Sequence, residues 1–147
     1  MQTSEEDVRR LLTAIGDDPS RPGLIETPAR VVKANAEIFA HTGETTFTDY
    51  KLFEVATDTD MVVVTDIPFY SMCEHHLLPF FGTVTVAYQP KQQVIGLSKI
   101  PRLVDWAARR PSVQEGLTTL IADELSRIVS AEGVAVHISA RHMCMAM

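Results

Sequence analysis

The stretch TVTVAYQPKQQVIGLS, residues 83–98, decides how the fold is read. From Thr83 to Tyr88 small polar and apolar side chains alternate, the period of a strand with one buried face. Pro90-Lys91-Gln92 then reads as a turn, because proline fixes φ and withholds the N–H that a ladder needs. A second short strand follows and ends at Gly96. At Ser98 the period changes. Ile100, Leu103, Val104 and Ala107 recur at helical spacing and put an apolar stripe on one face.

Outward from this stretch the texture keeps alternating between helix and strand. A further helix starts at Ser112, with Val113, Leu117, Leu120, Ile121, Ile128 and Val129 inward. Gly133 closes it, and Val134 to Met145 reads as a strand. On the other side, Thr48 to Tyr70 has β texture, with Met61-Val62-Val63-Val64 as a buried-type run. Thr27-Pro28 opens a helix whose apolar face is Val31, Val32, Ile38 and Phe39. Ser4 caps a first helix with Glu5, Glu6 and Asp7 at its positive end, and Val8, Leu11, Leu12 and Ile15 as its stripe before Gly16. The order α-α-β-β-β-α-α-β predicts an α+β fold with antiparallel strands. No internal repeat or second domain interrupts it.

The 147 residues suffice for one domain with a core that needs no disulfides. A formal charge of −6 gives no general reason to bind nucleic acid, whose phosphates it repels at long range. No signal peptide is visible at the acidic N-terminus, and no apolar run is long enough to span a bilayer, so no membrane partner is expected. With only Cys73 and Cys144, a disulfide framework is not indicated, and the expected location is the cytoplasm, where thiols stay reduced.

Those two thiols sit among histidines. Cys73-Glu74-His75-His76 is expected in a loop after the Met61 strand, and His142-Met143-Cys144 on the last strand, where His142 and Cys144 share one side. Cys73 and His76 are spaced to meet one ion from a single turn. With Cys144 they make two thiolates and an imidazole, a set that suits tetrahedral zinc with the fourth position open to water. His75 and His142 then stand beside the metal as acid–base groups. Spacing alone leaves other arrangements open: His142 in place of His76, all four groups closing a structural site, or two buried cysteines without a metal.

Gly96-Leu97-Ser98-Lys99 is a second constellation. Ser98 would cap a helix whose N–H groups and dipole favour an anion, with Lys99 in its first turn and Arg102 on the same face. The plain alternative is a capped helix with two solvated cations. Ser112-Val113-Gln114-Glu115 reads locally as a capping box, with Glu115 at N3, and Arg30 by default as an exposed charge.

Together these segments resemble the GTP cyclohydrolase I family. Phe69 to Phe80, FYSMCEHHLLPF, looks like its zinc segment, and Val94 to Lys99 like its phosphate segment. Val113-Gln114-Glu115, His142-Met143-Cys144-Met145 and Glu26-Thr27-Pro28-Ala29-Arg30 match further landmarks in the family's order. The resemblance implies a T-fold (tunnelling fold) subunit with antiparallel strands, a helix pair and an N-terminal helical extension, residues 1–45 before a core of 46–147, assembled as a ring-shaped homodecamer. It implies conversion of GTP and water to 7,8-dihydroneopterin triphosphate and formate, at the start of folate and pterin synthesis. By position, Cys73, His76 and Cys144 would hold Zn2+, with His75, His142 and Ser98 catalytic. Glu115 and Gln114 would read guanine. Lys99, Arg102 and Arg30, the last from a neighbouring subunit, would hold the triphosphate.

The family's pattern normally continues with an Arg-Gly pair, a serine- and threonine-rich strand and a terminal helix, whereas this sequence stops at Met147. Gly116 also stands where arginine is usual. The expectation is an exposed sheet edge beside Cys144 and weaker triphosphate binding. Alternative functions are a zinc- and GTP-binding ring subunit with impaired catalysis, or an enzyme of the same ring-opening chemistry that feeds deazapurine synthesis.

Overall fold

The computed structural model describes residues 4–55 and 59–147; residues 56–58, inside the β-textured stretch from Thr48 to Tyr70, lie outside the described residues. The chain divides into two units, one up to Ala40 and one from His41.

In the first unit, helix α1 (Glu5–Ala14) begins with a capping box. The Ser4 hydroxyl accepts from the Asp7 N–H at 3.2 Å, and the Asp7 carboxylate accepts from the Ser4 N–H at 3.0 Å. Bonds from Ser4, aided by Arg10, hold the Asp7 carboxyl down at about 2. The chain leaves the helix through Gly16, at a φ of 92° that glycine tolerates best. Helix α2 (Thr27–Ile38) takes Pro28 into its first turn; Thr27 lies inside the helix, and the capping position belongs to Glu26, whose side chain makes no cap bond. The two helices pack on each other, with Val8 buried, while Leu11 and Ile15 of the expected stripe stay exposed.

The second unit holds β1 (Leu52–Glu54), β2 (Val62–Cys73), β3 (Pro79–Gln89), β4 (Gln93–Ile95), α3 (Lys99–Ala108), β5 (Pro111–Ser112), α4 (Gln114–Val129), β6 (Gly133–His142) and the one-turn α5 (Met143–Ala146). The order β5-β2-β3-β6 makes one sheet, and β1 with β4 a small second one. All pairings are antiparallel except that of the two-residue β5 with β2. This is the α+β architecture expected from the sequence.

Alternation along the long strands decides which sheet face is buried. Phe69, Ser71 and Cys73 of β2, and Phe80, Val84, Val86 and Tyr88 of β3, point into the core, while Tyr70 between them is exposed. Against that face lie α3, which packs on β2, and α4, which packs on β6. Ile100, Leu103, Val104 and Ala107 are fully buried, as the spacing predicted. Each Leu, Ile or Val so placed contributes about 1.5–3 kcal/mol relative to an exposed one.

Two local expectations are corrected, each by a competing interaction. The box at Ser112 does not form: α4 starts at Gln114, behind Val113, without a side-chain cap. Ser112 is instead drawn into β5, pairing with Cys73, and its carbonyl accepts from the Glu74 N–H at 3.0 Å. The last strand also ends early. The β3–β6 ladder stops at Phe80↔His142, because the next residue of β3 is Pro79, which has no N–H to offer. The chain turns there into α5, so Cys144 lies on a helical turn, not on the strand.

Candidate active site

A sharp hairpin places the first two sulfur and nitrogen donors. Cys73 is the last residue of β2 rather than part of a loop, and its buried backbone is tied on both sides of the turn. Its N–H donates to the Leu78 carbonyl and its carbonyl accepts from the Leu77 N–H, both at 2.8 Å. Leu77 carries a positive φ of 52° to close this turn. The turn swings His75 and His76 back over the strand end, where each Nδ1 lies 3.9 Å from Cys73 Sγ. The helical turn of α5 brings in Cys144, half-buried. Cys73, His76 and Cys144 thus offer one donor atom each, all within 4.8 Å of one another. Tetrahedral zinc with sulfur and nitrogen ligands spaces its donors by about 3.5–3.8 Å, so the group fits after a small closure.

The electrostatics suit a metal. Hydrogen bonds, first from the His76 ring and then from the His75 backbone, draw the Cys73 thiol down to about 7. Burial pushes the Cys144 thiol the other way, and the neighbouring Cys73 adds to that. Both cysteines are free thiols. One readily formed thiolate beside a second sulfur and an imidazole is a soft donor set of the kind that selects zinc over hard cations.

Around this group, His75 is exposed and His142 half-buried. The His142 ring stacks on the buried Phe80 ring, with centroids 4.9 Å apart and planes 4° from parallel. Its Nε2 lies 2.8 Å from Oε1 of Gln114, whose Nε2 donates to the Ile138 carbonyl at 3.1 Å. The sequence singled out His142 and Gln114 separately; their contact joins residues 28 positions apart and left no local signal. Glu115, next along α4, is exposed and free of the capping duty expected of it.

The second constellation differs from the expected capped helix start. Ser98 stands just before α3 but is itself helical in backbone and makes no cap bond. Lys99 and Arg102 converge on one carboxylate, Asp49, at 2.5 and 2.8 Å. They share no hydrogen bond or ion pair with the cysteine–histidine group among the described residues. Asp49 was missed by sequence reading, since it lies 50 residues before Lys99. Its segment is held by long-range bonds: the Trp106 indole N–H donates to Glu44 at 2.7 Å, and the Phe47 N–H to buried Glu124 at 2.7 Å. A cleft of about 400 Å3 borders Asp49 and Arg102. Its wall carries Glu44, Asp49 and Asp105 against Arg102, too acidic for a polyanion. Arg30 belongs to the first unit, where it pairs with Glu26.

Comparison with known proteins gives the family of the chain. A profile of the family described as GTP cyclohydrolase I matches residues 4–147. The chain belongs to the GTP cyclohydrolase I family. It is 62% identical to the GTP cyclohydrolase 1 of Lactiplantibacillus plantarum over 144 residues, 97% of this chain and 76% of that one. It is 54% identical to the GTP cyclohydrolase 1 of Enterococcus faecalis, covering 97% and 77%. It is also 53% identical to the Bifunctional protein FolKE of Lactococcus lactis subsp. cremoris, covering 97% of this chain and 42% of that one. Within this family, the cysteine–histidine group is a possible metal-binding site. No helix among the described residues is long and apolar enough to cross a membrane.

Proposed function

We propose that the chain is a zinc-dependent GTP cyclohydrolase I, which converts GTP and water to 7,8-dihydroneopterin triphosphate and formate, the first step towards folates and pterins. The observation that carries this reading is the convergence of Cys73, His76 and Cys144 from a hairpin and a separate helical turn. These three residues would hold the ion, which when bound supplies Lewis-acid polarisation and a water acidic enough to react near neutral pH.

The remaining chemistry belongs to side chains. His75 and His142 move protons to and from the purine ring and the opened ribose, with Ser98 as a hydroxyl partner. Glu115, exposed at the start of α4, accepts from the guanine N1–H and amino group; adenine would leave that carboxylate unpaired. Gln114 lies beside it. Lys99 and Arg102 exchange Asp49 for the triphosphate, joined by Arg30 of a neighbouring subunit. A ring-shaped homodecamer is consistent with large apolar side chains left exposed on β2, Val63 and Tyr70. We read residues 1–147 as one family domain, with 1–45 as its helical extension and 46–147 as its core. Two free thiols at the site suit a reducing cytoplasm.

The test is product identity. Incubation with GTP and zinc, followed by oxidation, should yield a fluorescent pterin and one formate per GTP consumed. Zinc binding without either product would refute turnover.

A further inference from the structure

Stacking on Phe80 fixes the plane of the His142 ring but does not choose between its two flipped orientations. A half-turn about the Cβ–Cγ bond keeps the stack and exchanges Nε2 with a carbon. The neighbour that distinguishes them is Gln114. One end of its amide lies 3.1 Å from the Ile138 carbonyl, which can only accept. That end is therefore the NH2 group, and the end facing His142 Nε2 at 2.8 Å is the carbonyl oxygen. An oxygen that only accepts requires a ring nitrogen that donates.

We propose that Gln114 is a positioning residue: it holds the His142 ring with a proton on Nε2 and leaves Nδ1 as the nitrogen free to act on substrate. This rests on the reading of His142 as an acid–base group. Gln114 suits the task because its backbone is held as well. It opens α4, and the Thr118 hydroxyl donates to its carbonyl at 2.7 Å. Helix α4 packs on β6, the strand that carries both Ile138 and His142. Among the described residues Nδ1 of His142 has no hydrogen-bond partner, which leaves it open to a ligand.

The experiment uses zinc-loaded protein labelled with 15N-histidine and studied by magic-angle-spinning NMR, with His142 assigned through its loss in His142→Ala. The neutral ring should show a protonated Nε2 and a bare Nδ1. Gln114→Leu, which removes the acceptor, should give a mixture of tautomers at unchanged zinc content. It should lower kcat about 10-fold or more while the KM for GTP stays within about twofold. Gln114→Glu, which keeps an acceptor, should retain the wild-type tautomer and serves alone should the leucine variant not fold. A proton on Nδ1 in the wild type, or a tautomer indifferent to Gln114→Leu, would overturn the proposal. So would a raised KM with unchanged kcat, the mark of a guanine contact. Should the wild type make no pterin, the enzymatic reading fails, and the spectra still decide the role of Gln114.

Discussion

Gly82 is the position at which one added methyl group should separate the sheet from the candidate site. It pairs with Phe69 of β2 on one side and Ala140 of β6 on the other. A Cβ built there falls inside the van der Waals shell of the Ser139 carbonyl oxygen and within 2.9 Å of Ala140 Cα and the Ser139 carbonyl carbon. All three are backbone atoms, so no rotamer change relieves the clash, and in Gly82→Ala β6 must move. Overpacking of this kind costs about 1–3 kcal/mol. Each ladder hydrogen bond lost beside it adds about 0.5–1.5 kcal/mol. With one or two bonds lost, the sum is about 1.5–6 kcal/mol. Because β6 ends the β5-β2-β3-β6 order and can yield outward, the lower half of that range is expected. Since β6 carries His142 and leads into Cys144, zinc affinity should fall with stability. Urea unfolding of metal-free wild type and Gly82→Ala measures the first quantity, and competition with a zinc indicator the second. A stability change within about 0.5 kcal/mol, with zinc affinity unchanged, would show that the sheet tolerates the methyl and that the clash argument is wrong.

Three other perturbations test separate parts of the molecule. Glu124 accepts from the Phe47 N–H and from Arg127, and Arg127 foremost holds its carboxyl below the usual value of 4.5. A lowered carboxylate stabilises the fold above pH 4.5 and loses that contribution as pH falls through its folded value. Glu124→Gln should therefore cost about 1–3 kcal/mol at pH 7 and flatten the acid limb of the stability curve; an unchanged limb in urea titrations would exclude this. Lys99→Met should raise the KM for GTP by about 10–100-fold with a smaller effect on kcat, the loss of one charge-assisted contact; an unchanged KM would remove Lys99 from triphosphate binding. His142→Ala should keep one zinc per chain by elemental analysis while pterin formation is lost; zinc loss would make His142 a ligand.

Much of the framework is legible in the sequence because it is written in local periods. The switch from alternation at Thr83–Tyr88 to helical spacing at Ile100–Ala107 marks β3 and α3, and both buried faces follow from it. The same holds for the Ser4 cap, whose partner Asp7 lies within one turn. Local rules fail where a distant segment competes for the same atoms. Ser112 has the neighbours of a capping residue, yet β2 claims its backbone. Cys144 has strand-like surroundings, yet Pro79 on the facing strand ends the ladder before it. At the site, the Cys73–His76 spacing is visible because one turn satisfies it. Asp49 beneath Lys99 and Arg102, and Gln114 beside His142, are partners that only the tertiary fold brings together. The cysteine pair lies between these cases: its residue types are suggestive, and its convergence depends on the hairpin and α5 meeting.

Titration of metal-stripped protein with zinc, followed by formate release from GTP at each point, addresses the link between that convergence and the chemistry. The expected result is a rate that starts near zero, rises in proportion to added zinc and levels at one ion per chain, with Cys144→Ala flat throughout. Formate release at full rate without metal, or one tightly bound zinc per chain with no release, would contradict a catalytic role for Cys73, His76 and Cys144.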